Sequence, residues 1–258
     1  MDLVLPVLAT LALWWFSTGL IMVLAERSRG LRLVAMAGAS VLAAIAVATL
    51  WMTRELATPA GAYVASLSAL AIWAWHEMSF LFGYLTGPNR GTCPVELVGW
   101  PRFRNATATL IHHEAALAAT VVGLGFISLT AANPAGFLVF ALLFALRLSS
   151  KFNLFLGAPH FSDQLLPSRL AHLRSYFRVA PVGPFFVITT SMIALLAASL
   201  LWGAAGASSP FDAALLALLG ALAALGAVEH LFLALPLQDS VLWRWLLPAR
   251  DPRRTPDL

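Results

Sequence analysis

The sequence predicts an all-α integral membrane protein, a seven-transmembrane-helix bundle with its N-terminus outside and its C-terminus in the cytoplasm. Three observations carry that expectation. Of 258 residues, 60% are hydrophobic and 11% charged, with a mean hydropathy of +0.83, too apolar for a chain that must show water a polar surface. Apolar stretches of about 20 residues, long enough to cross a hydrocarbon core, recur along the chain. Basic residues gather in alternate connections, the asymmetry that sets orientation in a bilayer.

In order, the predicted spans are 3–25, 31–53, 61–85, 106–131, 135–156, 183–204 and 211–235, so residues 1–258 form a single membrane domain. Gly, Pro or charge bounds most of them. The first begins MDLVLP, with no basic n-region and no small-residue cleavage site after a short apolar core, and is expected to be retained as a helix. Arg27, Arg29 and Arg32 fall between spans one and two, Arg90, Arg102 and Arg104 between three and four, and Arg169, Arg174 and Arg178 between five and six. Arg244, Arg250, Arg253 and Arg254 follow span seven, whereas Arg54 sits in a loop on the opposite side. A pI near 10.0 therefore reflects orientation and contact with membrane lipid, and nucleic-acid binding is rejected.

Loops on the outer side, AANPAG and GASSPFD, are short, which directs function to the cytoplasmic side. There the Gly- and Pro-rich TGPNRGTCPVELVGWPRFRN reads as a structured loop. The segment 157–181 places Leu166, Leu170, Leu173 and Phe177 on one helical face with Arg169 and Arg174 at its borders, the pattern of a short interfacial cytoplasmic helix in the headgroup plane. Trp51 and Trp202 mark outer ends as interface anchors. The single cysteine, Cys93, excludes an intramolecular disulfide and a cysteine-rich metal site.

Ionisable groups also lie inside the spans: His76 and Glu77 in span three, His112, His113 and Glu114 in span four, Arg147, Lys151 and Asn153 in span five, Glu229 and His230 in span seven. Counted from the cytoplasmic ends at 1.5 Å per residue, His76, His113, Lys151 and His230 lie roughly 8 to 12 Å deep. Four helices thus place costly groups in one layer, where a charge costs on the order of 3 kcal/mol and usually turns toward a bundle interior or cavity. Adjacent residues diverge by about 100°, so one of each His/Glu pair can ligate while its neighbour supports it or bonds another helix.

Three chemistries fit such a layer. A metal centre drawn from His76, Glu77, His112, His113, Glu114, Glu229 and His230 suits iron, manganese or zinc, with nitrogen and oxygen donors, although no helix carries Glu-x-x-His or His-Glu-x-x-His spacing. Axial ligation of a pigment or haem needs one imidazole, His76 or His113. In the third, histidines, glutamates, Arg147 and Lys151 satisfy one another in a buried network that fixes packing. Arg147 and Lys151, four apart on one helix face, can receive a carboxylate or phosphate or else snorkel, and Asn153 can cap or bridge helices. His160 and His172 read as surface side chains. Composition and spacing leave the three chemistries open.

The segments HEMSFLFGYLTGP, HHEAAL and LRLSSKFNLFLGAPHF together resemble the PuhE family of photosynthetic complex assembly proteins of purple phototrophic bacteria. The likeness runs through nearly the whole chain and the seven-span layout agrees. Two positions depart from the family pattern: Asn89 intervenes between Thr-Gly-Pro and Arg90, and His160 ends the Leu-Gly-x-Pro segment. The resemblance implies a multi-pass protein of the bacterial inner membrane, cytoplasmic or intracytoplasmic, with its N-terminus periplasmic. It also implies reaction-centre or antenna subunits as partners, and no particular catalytic residue.

The expected function is an assembly factor for the photosynthetic reaction centre and core antenna, binding or delivering bacteriochlorophyll at the His/Glu layer in the cytoplasmic leaflet. The alternative is a membrane metalloenzyme, with Fe, Mn or Zn at that layer, modifying a tetrapyrrole or isoprenoid-tailed lipid. A secondary transporter ranks third, because the spans lack Pro/Gly breaks at the bilayer centre and the polar layer is off-centre.

Overall fold

The apolar stretches fold into helices in the computed structural model, which describes residues 4–161 and 166–236. They are α1 (Val4–Ala25), α2 (Arg29–Thr53), α3 (Pro59–Leu81), α4 (Gly99–Thr107), α5 (Ile111–Ser128), α6 (Ala135–Leu156), a 3-10 helix (Ser168–Tyr176), α7 (Pro184–Ala205) and α8 (Pro210–Ala234). The described residues contain no strand beyond one isolated bridge, Ala158 to Val179. The basic residues Arg244, Arg250, Arg253 and Arg254 lie outside the described residues.

Several starts are written locally. Thr58 accepts from Gly61 N (3.1 Å) and Ser209 from Asp212 N (3.0 Å), each followed by a proline whose missing N–H is harmless in a first turn. Six helices, α1, α2, α5, α6, α7 and α8, are long and apolar enough to cross a membrane, which makes this a multi-pass membrane protein. Helix α3 is as long, at 23 residues, but its Ser66, Ser68, His76, Glu77 and Ser79 lower its hydropathy. Those five are buried, because α3 runs through the bundle against α1, α2, α5, α6 and α8.

Helix α8 is the other central element. In its most apolar window 72% of residues are buried, against 11% for α2 on the outside. Alanine and glycine let neighbouring backbones close in where hydrocarbon offers no hydrophobic drive. A Cβ at Gly226 would stand 2.8 Å from the methyls of Leu146, so this glycine sets the approach of α6 to α8.

Three features differ from expectation. Span three stops at Leu81, four residues early, because the chain turns at Gly83 with φ 76°. Span four is broken: α4 ends at Thr107 and α5 starts at Ile111. The cause is the loop after α3, whose Gly87 crosses the break so closely that a Cβ would lie 2.1 Å from Ala108 O. That loop also bonds the break, with Asn89 N donating to Ala108 O (3.0 Å) and His113 N to Thr86 O (3.2 Å), so the backbone groups freed by the break find partners. Gly87→Ala is expected to lower stability by about 2 kcal/mol through overpacking, read as a drop in thermal midpoint. Gly123→Ala, with open space around it, is the matched control and should leave the midpoint unchanged or raised.

The third difference concerns the segment expected to lie in the headgroup plane. It forms the 3-10 helix, and its Leu170 and Leu173 are buried on Phe80, with Leu81, Leu110, Leu166 and Phe177 around them. Its apolar face is thus covered by the protein. Arg169 Nη1 donates to Leu81 O (3.0 Å), closing the end of α3. At the opposite end of the bundle, Trp51 and Trp202 are exposed as expected, with the Arg54 guanidinium 3.8 Å above the Trp51 ring.

Candidate functional site

The ionisable residues of the spans do meet, although His76 and His113 lie nearer their helix ends than counting predicts. His76 and Glu77 lie five and four residues before the end of α3, while His113 and Glu114 sit in the first turn of α5. Helix α6 supplies the cations. Arg147 Nη2 donates to Glu77 Oε2 (3.2 Å), and one turn further on the Lys151 ammonium donates to Glu114 Oε1. The second pair is the drier: the side chains of Lys151 and Glu114 are 18% and 13% exposed, against 42% and 11% for Arg147 and Glu77. Arg147 also lies within electrostatic reach of Glu229 and Glu114.

Helix α8 joins through two adjacent residues that face different ways. Glu229 Oε1 accepts from Trp14 Nε1 (2.7 Å), tying α8 to α1. His230 is fully buried, with Nδ1 on Gly226 O (2.8 Å) and Nε2 on Ser149 Oγ (2.9 Å). A carbonyl only accepts, so Nδ1 carries the proton and Nε2 accepts from the serine. Thr120 settles His76 the same way: its hydroxyl donates to Ala116 O (3.0 Å), so His76 Nε2, at 2.9 Å, is the donor to it. Asn153 Nδ2 donates to Thr189 Oγ1 (3.2 Å) and fastens α6 to α7.

His113 is different. It is fully buried, its ring 4.6 Å from that of Phe80 and 6.4 Å from that of His76, yet neither nitrogen has a hydrogen-bond partner. His76 Nδ1, Glu77 Oε1 and Glu114 Oε2 are also buried without one. His112, next in the chain, is exposed on the outside of α5, as the 100° step between neighbours requires.

The proposed metal donors are therefore divided. Glu77 and Glu114 hold cations, Glu229 holds an indole, both nitrogens of His230 are engaged, and His112 faces away. Among the described residues no three His, Cys, Asp or Glu side chains stand together as a metal-holding group. The candidates for receiving an anion, Arg147, Lys151 and Asn153, are likewise bonded within the protein. Chemically the cluster is a set of neutralised pairs around one unengaged imidazole.

Several participants carry no signal in the sequence. Trp14, Thr120, Ser149 and Thr189 are ordinary span residues until a partner on another helix selects them. In the loops Asn89 is a hub: its Nδ2 donates to Asn105 Oδ1 (2.6 Å) and to the Tyr176 hydroxyl (2.9 Å), which itself donates to Asn105 Oδ1 (2.5 Å). Arg102 spans Phe155 O (3.2 Å) and Tyr176 O (2.6 Å), capping α6. His160 N donates to Leu233 O (3.2 Å). His172 sits beside Arg90, and burial first, then that like charge, holds its pKa below the ordinary value.

A helical multi-pass membrane protein with an internally neutralised polar cluster at one end of its bundle is the class these features define. The chain belongs to the family described as Protein of unknown function (DUF3623), whose model matches residues 1–254. It is similar to a protein of Rhodobacter capsulatus described as an uncharacterized 30.4 kDa protein in the puhA 5′ region, with 36% identity over 258 residues, 97% of this chain and 93% of the relative. No solved structure matches the chain.

Proposed function

We propose that this chain is an inner-membrane assembly factor for the photosynthetic reaction centre and core antenna, the role implied by its resemblance to the PuhE family. The observation that carries this reading is the position of the R. capsulatus relative in the puhA 5′ region, a photosynthesis gene region, combined with similarity along nearly the full length of both chains. Geometry favours holding over catalysis, because Glu77 and Glu114, the carboxylates a metalloenzyme would use, are paired with Arg147 and Lys151. Helix α3 is the seventh span, its polar side turned to α5 and α6. The end bearing Arg27, Arg29, Arg32, Arg90, Arg102, Arg104, Arg169, Arg174 and Arg178 is cytoplasmic by the positive-inside rule, and Arg54 is periplasmic.

In this reading His113 would hold bacteriochlorophyll, whose central metal binds an imidazole nitrogen. It is the buried histidine among the described residues with neither nitrogen engaged. It also adjoins the α4–α5 break, where its backbone N–H donates to Thr86 O of the loop after α3. Deleting the gene from a phototrophic host is expected to lower core-complex absorption per cell several-fold, and the purified protein to carry reaction-centre subunits or bacteriochlorophyll. Unchanged core-complex absorption in the deletion strain sinks the proposal. Accumulation of an altered tetrapyrrole there points instead to the metalloenzyme.

A further inference from the structure

A second feature lies on the opposite flank of α3 from the polar cluster. Helices α2 and α3 frame an open groove of about 470 Å³ lined by Leu33, Met36, Ala37, Trp75, Tyr84 and Leu85, with Ser40 and Ser79. Trp75 Nε1 of its wall donates to Ser40 Oγ (2.9 Å) and Ser79 Oγ to His76 O (2.8 Å). Apart from the Tyr84 hydroxyl, what remains is apolar and opens on the lipid-facing side, since Leu33 and Val34 of α2 are exposed.

Arginines crowd the mouth of this groove. Arg32 stands one helical turn before Met36 on the same face of α2; it donates from Nη1 to Arg27 O, and its buried Nε has no partner. Arg169 lays its methylenes over Gly83, where a Cβ would meet its Cδ at 3.2 Å, and donates to Leu81 O. It lies within electrostatic reach of Arg32, Tyr84 and Glu26. Burial first, then the like charge of Arg32, holds the Arg169 pKa below its ordinary value. Arg90 Nη2 donates to Gly83 O (3.4 Å) on the same turn. Glu26 offsets one of these three cations. Guanidinium groups sharing a turn beside hydrocarbon match a headgroup phosphate with an attached tail, because their forked donors bind phosphate and the groove takes the chain.

We infer that the α2–α3 groove and the arginines at its mouth form a site for one anionic phospholipid, its acyl chain along Met36 and Trp75 and its phosphate between Arg32 and Arg169. The site is independent of the assembly role. It differs from general attraction of a basic face to a charged membrane in requiring both the fork and the groove.

Native mass spectrometry of the full chain in detergent with added phosphatidylglycerol tests this. One phosphatidylglycerol is expected to stay bound, and phosphatidylcholine not. The double variant Arg32→Gln/Arg169→Gln is expected to weaken retention by about thirtyfold, in keeping with lipid attraction of about 1 kcal/mol for each of the two basic residues. Met36→Trp, which fills the groove and leaves every charge, should weaken it as well, while Arg54→Gln at the other end should not. Helicity and a monodisperse elution profile confirm folding of each variant, and Met36→Trp decides alone if the double variant fails to fold. Equal retention by Met36→Trp, or displacement of the lipid by millimolar inorganic phosphate, overturns the inference, the latter by making this a free-phosphate site.

Discussion

Lys151→Met is expected to lower the stability of the purified protein by about 3 kcal/mol, the cost of leaving a carboxylate charged and unpaired in a dry interior. Glu114, at 13% side-chain exposure, rests its Oε1 on Lys151, and its Oε2 is buried without a hydrogen-bond partner. A thermal melt in mild detergent measures the loss. Adding Glu114→Gln to Lys151→Met should return most of it, because the pair contributes little beyond its own desolvation once both charges are gone. Additive losses in the double variant would show that the two side chains do not act as a pair. Arg147→Met should cost less than Lys151→Met, since the Arg147 side chain is 42% exposed and its pair with Glu77 is discounted accordingly.

His113→Leu is expected to do the opposite, raising stability by about 1 kcal/mol while lowering core-complex levels in a phototrophic host. A buried polar group without a partner carries a desolvation penalty that an apolar replacement removes, and the ring already packs on that of Phe80. Function and stability then move apart, as they do where a group is kept for binding at the expense of the fold. A lower melting point together with lower core-complex levels would make His113 a packing residue. A raised melting point with normal core-complex levels would remove it from the pigment-binding role.

How much of this could be read from the chain depended on distance along it. Hydropathy is local, so the long helices follow closely from composition, with Thr58–Pro59 and Ser209–Pro210 marking two starts. The rough depth of Lys151 and His230 is local too. The break before Ile111 is not: FRNATATLIHHEAAL reads as continuous helix, and only Gly87, some twenty residues earlier, shows why it stops. The end of α3 was obscured by the apolar run FLFGYL, in which Gly83 turns the chain without any drop in hydropathy. The 3-10 helix displayed a correct apolar face, yet nothing in its own residues told whether lipid or Phe80 would cover it. For the polar cluster, residue types were legible and partners were not. That Glu77 takes Arg147, Glu114 takes Lys151, and Glu229 an indole from α1 is decided by helix packing across the bundle.

The burial of α8 bears on how the protein is made. It follows the other described helices in sequence, so it leaves the ribosome after them, yet it packs on α1, α3, α6 and α7. Until it arrives, Trp14 lacks Glu229, Ser149 lacks His230, and the inner faces of its neighbours are open to lipid. Helix α8 therefore reaches its place only after the partners it packs on have been made. Insertion of its Ala- and Gly-rich stem is the step that closes the bundle.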